Sequence, residues 1–257
     1  MVKELLENFN PESYIDLLVL IAGCIAMLVS AASFPAIRNV AEAKNLMDAS
    51  DARSSHSGKV PNLGGIGIYL SIVVAITIIG ALLDTKSLLL ILGSITLLFF
   101  LGLKDDILVL SPRKKFSGQL LAALLLIIFT DTRIVGLSGI FGVTLMPYWL
   151  SVLFTLFVYL LIINAFNLID GVDGLAGSMA LMASVAFGYV FYKSNDLSMV
   201  VLAAASVGAI LPFLYFNFSK TNKMFMGDTG SMILGFIIAV FAVRFIDSSE
   251  AMLTNPY

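Results

Sequence analysis

The chain has 257 residues, 59% of them hydrophobic and only 12% charged, with a net charge of −2. A soluble domain carries about a quarter charged residues, so this composition excludes an ordinary soluble protein and favours one helical membrane bundle. The near-neutral charge argues against a nucleic-acid partner, and the single cysteine, Cys24, excludes an internal disulfide.

Met1 to Asn10 holds Lys3 beside Glu4 and Glu7, without the net basic start of a cleavable signal, so the first apolar run reads as a permanent span. Eight apolar runs follow, at about 14–37, 62–83, 87–103, 116–130, 147–166, 177–193, 197–216 and 230–246. The third and fourth are short and are expected to tilt or to borrow polar flanks. Cys24, inside the first run, reads as a small packing or lipid-side residue. With no internal repeat and no soluble stretch, the predicted fold is an all-α polytopic membrane protein, one integral domain over residues 1–257.

Eight crossings divide the connections into two sets. Those after spans one, three, five and seven hold Arg38, Lys44, Arg53, Lys59, Lys104, Arg113, Lys114, Lys115, Lys220 and Lys223. The opposite set, with the N-terminus, holds Lys3, Lys86, Arg133, Lys193 and Arg244. The positive-inside rule assigns the first set to the cytoplasm and the N-terminus to the outside. On the outer side, the Gly-rich stretch Asp131 to Pro147 reads as a short hairpin at the interface, and Tyr148 and Trp149 as an interfacial anchor.

Four polar stretches all fall on the inferred cytoplasmic side. The first, DASDARSSHSGKVPNLGG from Asp48 to Gly65, offers Arg53, His56 and Lys59 to phosphates, with Gly64–Gly65 allowing close backbone approach. By itself it reads equally well as a solvated basic loop with a hinge. The second, GLKDDILVLSPRKKFSGQ from Gly102 to Gln119, pairs Asp105 with Asp106. Adjacent helical residues point about 100° apart, so the pair converges on one ligand only if the helix stops there. Ser111 and Pro112 look like the N-cap and first position of span four.

The third stretch, NAFNLIDGVDGLAG from Asn164 to Gly177, spaces Asn164, Asn167 and Asp170 along a related helix face, with Asp173 after a glycine. Carboxylates at membrane depth cost about 2.5–3.5 kcal/mol each on insertion scales, so such residues default to function. The fourth, NKMFMGDTGSMILG from Asn222 to Gly235, runs Gly227, Asp228, Thr229, Gly230 and Ser231 straight into span eight. A helix N-terminus suits phosphate or a metal-bound phosphate, and a plain N-cap by Asp228 or Thr229 is the simpler alternative. Asp105, Asp106, Asp170, Asp173 and Asp228 in one cleft would need a cation to offset their repulsion, and hard oxygen ligands select Mg²⁺ or Mn²⁺.

Taken in order, these motifs resemble the polyprenyl-phosphate N-acetylhexosamine-1-phosphate transferases, a family that includes the phospho-N-acetylmuramoyl-pentapeptide transferases. The likeness runs from about Asp48 to Gly235 and is closer to the branch using UDP-N-acetylglucosamine. It implies a bacterial inner-membrane enzyme with its site facing the cytoplasm. That enzyme would move N-acetylhexosamine 1-phosphate from a UDP-sugar to undecaprenyl phosphate, initiating a cell-surface polysaccharide such as O-antigen or teichoic acid. By matched motif, Asp228 and Asp105 are implied Mg²⁺ ligands, and Asp105, Asp106, Asp170 and Asp173 catalytic carboxylates. Arg53, His56, Lys59, Lys114, Asn164 and Asn167 are implied substrate contacts. The resemblance also implies a homodimer and about ten or eleven spans, so the chain is expected to lack two or three C-terminal helices and a histidine-bearing loop. His56 is its one histidine, and Asn62 stands where many relatives carry arginine. The alternatives are the same chemistry on a muramoyl-pentapeptide donor, an ion-coupled transporter with acids near the bilayer midplane, and a structural subunit needing none of the four motifs.

Overall fold

A computed structural model describes residues 11–44, 46–48, 60–83, 86–137, 139 and 142–254. After a 3₁₀ turn at Pro11–Tyr14 come eight α-helices: α1 Ile15–Ala43, α2 Gly64–Gly80, α3 Lys86–Leu108, α4 Pro112–Thr130, α5 Tyr148–Ile169, α6 Leu175–Lys193, α7 Leu197–Phe218 and α8 Gly227–Thr254. Each falls on one of the eight predicted apolar runs. Six of them, all but α2 and α4, are long and apolar enough to cross a membrane. The seventeen-residue α2 sits at the short limit of a spanning helix. In α4, the first turn carries Arg113, Lys114 and Lys115.

Leu20, Leu28, Phe100, Ile128, Leu153 and Tyr189 are all more than half exposed. So broad an apolar exterior suits contact with lipid tails. The centre is α8, 78% buried over its apolar stretch, with α7 next at 67%; the corresponding stretches of α1, α5 and α6 are 28% buried. Small residues set the closest approaches. A Cβ at Gly208 on α7 would lie 2.2 Å from the Gly23 carbonyl oxygen of α1. Ser30 of α1 donates to the Ala209 carbonyl at 2.8 Å.

The helices alternate in direction, and contacts close both ends. At one end, Arg38 of α1 donates to the Thr221 carbonyl at 3.1 Å, and the amides of Gly64 and Gly65 donate to the carbonyls of Phe225 and Met226 at 3.0 and 2.8 Å. At the other, Tyr192 donates to Asp16 at 2.7 Å and Arg244 pairs with Asp196 at 2.7 Å.

Three boundaries differ from the sequence expectation. Helix α3 does not stop at the paired acids but continues to Leu108, so Asp105 and Asp106 lie within its last turn and diverge. The turn is broken instead by the Leu110 amide donating to the Asp105 side chain, with Val109 at φ 50°. Met47–Asp48 and Val60–Pro61 form an antiparallel two-residue pairing that no alternation of apolar residues signals. In the 131–147 connection no strand forms among the described residues. Single bonds tie the loop across, from the Met146 amide to the Val135 carbonyl at 2.8 Å and from the Gly139 amide to the Val143 carbonyl at 3.0 Å. The exposed Tyr148 ring there carries the Arg133 guanidinium 4.6 Å from its centroid.

Candidate active site

The site forms where α8 begins. Gly227 opens that helix at φ 75°, and a side chain there would strike Asn62 and Asp106. Gly65 of α2 and Gly102 of α3 bring two neighbouring helices against the same turn. A Cβ on Gly65 would lie 2.2 Å from the Gly230 nitrogen, and one on Gly102 would lie 2.4 Å from the Thr229 Cα. The close backbone approach that the paired glycines of the first motif allow is thus to the protein's own backbone at the start of α8.

The cap of α8 comes from another helix. Asp106 Oδ1 accepts from the Asp228 amide at 2.7 Å. Its Oδ2 accepts from the Thr229 amide at 3.1 Å and from the Thr229 hydroxyl at 2.5 Å. A carboxylate at a helix N-terminus satisfies free amides and meets the positive end of the dipole. These amides are thus spoken for, and the anion predicted at this helix start is Asp106 itself.

With its backbone held, Asp228 turns its side chain toward the same ammonium that Asp105 meets. Lys115 of α4 pairs with both, meeting Asp228 Oδ2 at 2.7 Å. Asn167 of α5 donates to the other oxygen of Asp228 and to Ser231 Oγ at 3.1 Å. Side chains from α3, α4, α5 and α8 therefore meet at one bundle end.

The other predicted residues are spread around this centre. Asp170 is half-buried just past the end of α5 and accepts from the Gly227 amide. Burial, then the charges of Asp228 and Asp106, push its carboxyl up to about 8. Asp173 stands at the rim, ion-paired with Lys223. Asn164 lies one turn from Asn167 and donates to Gln119 Oε1 at 2.9 Å. Lys114 is exposed, and its neighbour Lys115 is the residue that reaches in. Arg53, His56 and Lys59 lie outside the described residues.

The basic run Arg113–Lys115 reads in sequence as a clamp for the anionic ends of a substrate, but nothing in it marks Lys115 as the one facing inward. Sequence reading misses Asn217 altogether. Asn217 is buried, accepts from the Gly174 amide at 2.6 Å and donates to the Met224 carbonyl at 2.9 Å, tying the third motif to the fourth. Its signal was present, as a polar residue in the last turn of an apolar run.

Among the described residues, no three acidic, histidine or cysteine groups stand close enough to hold a metal by themselves. Mg²⁺ does not need such a cage, since one or two carboxylates plus substrate phosphates suffice. Asp105 and Asp228 fit that requirement. Asp105 Oδ2 is buried without a hydrogen-bond donor of ordinary geometry, and a monovalent cation, the Lys115 ammonium, already sits against both carboxylates.

Residues 88–246 match the model of glycosyl transferase family 4. Over 207 residues the chain is 31% identical to an undecaprenyl-phosphate alpha-N-acetylglucosaminyl 1-phosphate transferase of Escherichia coli O157:H7, covering 78% of this chain and 55% of that protein. It is 31% identical over 225 residues to the enzyme of the same name from Yersinia pestis, covering 85% of this chain and 60% of that protein. It is 32% identical over 249 residues to a phospho-N-acetylmuramoyl-pentapeptide-transferase of Halalkalibacterium halodurans, covering 90% of this chain and 75% of that protein. The chain thus spans little more than half the length of the first of these relatives.

Proposed function

Because the chain belongs to glycosyl transferase family 4, we propose that it transfers N-acetylglucosamine 1-phosphate from its UDP-sugar to undecaprenyl phosphate at the cytoplasmic face of a bacterial inner membrane. An oxygen of the lipid phosphate bonds to the sugar-proximal phosphorus of the donor. The bond from that phosphorus to UMP breaks, and its electron pair leaves with UMP. The sugar C–O bond stays intact, so anomeric configuration is kept. The lipid diphosphate sugar formed would begin a cell-surface polysaccharide, and the resemblance extends the proposal to a homodimer.

The convergence of Asp105, Asp228, Asn167 and Lys115 at one bundle end supports this reading most directly. Asp105 and Asp228 would hold Mg²⁺, which when bound supplies charge neutralisation for the donor diphosphate. Asn167 fixes the rotamer of Asp228 through its outer oxygen. Asp106 holds the start of α8, and hence Asp228, in place. Lys115 is the nearest cation for a phosphate oxygen, and Asp105 the nearest carboxylate to orient the attacking lipid phosphate. The ten-to-five bias of basic residues supports the cytoplasmic orientation. Acids gathered at one end, with no midplane group among them, disfavour the transporter alternative.

Membranes holding the complete protein should label a lipid extract from radiolabelled UDP-N-acetylglucosamine, and only with Mg²⁺ or Mn²⁺. Asp228→Asn should abolish labelling while leaving membrane insertion unchanged; full activity of that variant would remove Asp228 from the metal site. A second reading, the same transfer from a muramoyl-pentapeptide donor, is favoured by the Halalkalibacterium halodurans relative, which aligns with more of this chain. A panel of UDP-sugars separates the two.

A further inference from the structure

Lys115 poses a question that the proposed chemistry leaves open. Its ammonium lies against Asp105 Oδ2 and is 2.7 Å from Asp228 Oδ2. Those are the carboxylates assigned above to a divalent cation, and Asp105 is only 4% exposed. Two carboxylates that meet one ammonium are close enough to repel one another unless a positive charge lies between them. A divalent cation and the lysine cannot both occupy that position. The lysine is tethered to the first turn of α4, with Ser111 and Pro112 setting the helix start, so its backbone need not move for its side chain to leave. The side chain is about a quarter exposed.

We infer that Lys115 is a built-in counter-cation that keeps the carboxylate pair assembled, and that a divalent cation must displace it. This deepens the proposed function and rests on its assignment of Asp105 and Asp228 as metal ligands. The displaced ammonium remains on a short tether beside the metal, where it becomes a ligand for donor phosphate. Metal binding and phosphate binding are therefore coupled through one side chain: the metal releases the lysine, and an anion gives the released lysine a new partner. The lysine acts as a competitor of the metal and a partner of the substrate.

The test measures Mn²⁺ binding to the purified protein without any sugar donor, from the loss of the free Mn²⁺ resonance. Lys115→Met should bind Mn²⁺ about tenfold more tightly than the parent, because two partly screened ion pairs no longer compete. Lys115→Arg, which keeps the charge, should not tighten. Unchanged or weaker binding in a folded Lys115→Met protein overturns the inference. A second measurement needs no variant. Reductive methylation of Lys115, read by mass spectrometry, should speed up several-fold on adding Mn²⁺, while exposed Lys104 stays constant; no change at Lys115 overturns the inference as well. If Asp105→Asn and Asp228→Asn bind Mn²⁺ as well as the parent, the metal assignment itself fails; if neither the parent nor Lys115→Met binds it, the displacement fails. Parent binding through both acids with no gain in Lys115→Met removes only the displacement.

Discussion

Asp105 and Asp106 are adjacent in sequence, yet their side chains point to different tasks. Asp105 faces Asp228 and Lys115, whereas Asp106 spends both oxygens on the backbone and hydroxyl at the start of α8. Asp106→Ala should therefore destabilise the protein by about 1–3 kcal/mol, since it strands buried donors. Asp106→Asn, which keeps one acceptor, should recover part of that loss in a thermal melt. Asp228→Asn should do the opposite, ending labelling with little change in melting temperature. Asp170 makes a pH-dependent prediction. Its carboxyl has an ordinary value of 3.8 and is raised to about 8 in the fold, so between those limits the folded state holds more protons than the unfolded state. Its contribution to stability is present at low pH and is lost as pH rises through the folded value. In metal-free buffer the melting temperature should fall from pH 5 to pH 8, and Asp170→Asn should flatten that slope. An equal slope in the variant would assign the pH dependence to other groups.

Helix α8 connects two ends that are built differently. Its start is packed backbone to backbone, with Gly65 and Gly102 leaving no room for a methyl group against residues 229 and 230. Gly102→Ala or Gly65→Ala should cost about 1–3 kcal/mol and push the helix start off Asp106, lowering turnover without loss of helix content by circular dichroism. The far end is held by charge, with Arg244 bound to Asp196, which also accepts from the Met199 amide at the start of α7. These side chains are part-exposed, so Arg244→Ala should cost no more than about 1 kcal/mol and leave lipid labelling unchanged. The contrast follows from task. Aiming Asp228 requires a rigid helix start, whereas closing the opposite end requires only that α7 and α8 stay together. The apolar runs made both helices legible in sequence. They did not reveal that α8 is the central helix, because it is no more apolar than α3.

Across the whole molecule, alternating helix directions deliver the tips after α3, α5 and α7 to a single end, together with the approach to α2. Cysteines placed at Lys104 and Lys223 in a Cys24→Ala background should react from one side of the membrane, and cysteines at Asp131 and Ser194 from the other. The sequence by itself determined the number and approximate extent of the helices, which connections share one end of the bundle, and the family, because hydropathy and motif order are properties of local stretches of chain. Only the tertiary structure decided that Lys115 rather than Lys114 enters the site, that Asp106 caps a helix, and that Gly64–Gly65 seats α8. Those choices depend on how each helix is rotated about its axis and how closely it meets its neighbours. Rotation and approach are settled by packing between segments more than a hundred residues apart, which no local pattern of residues encodes.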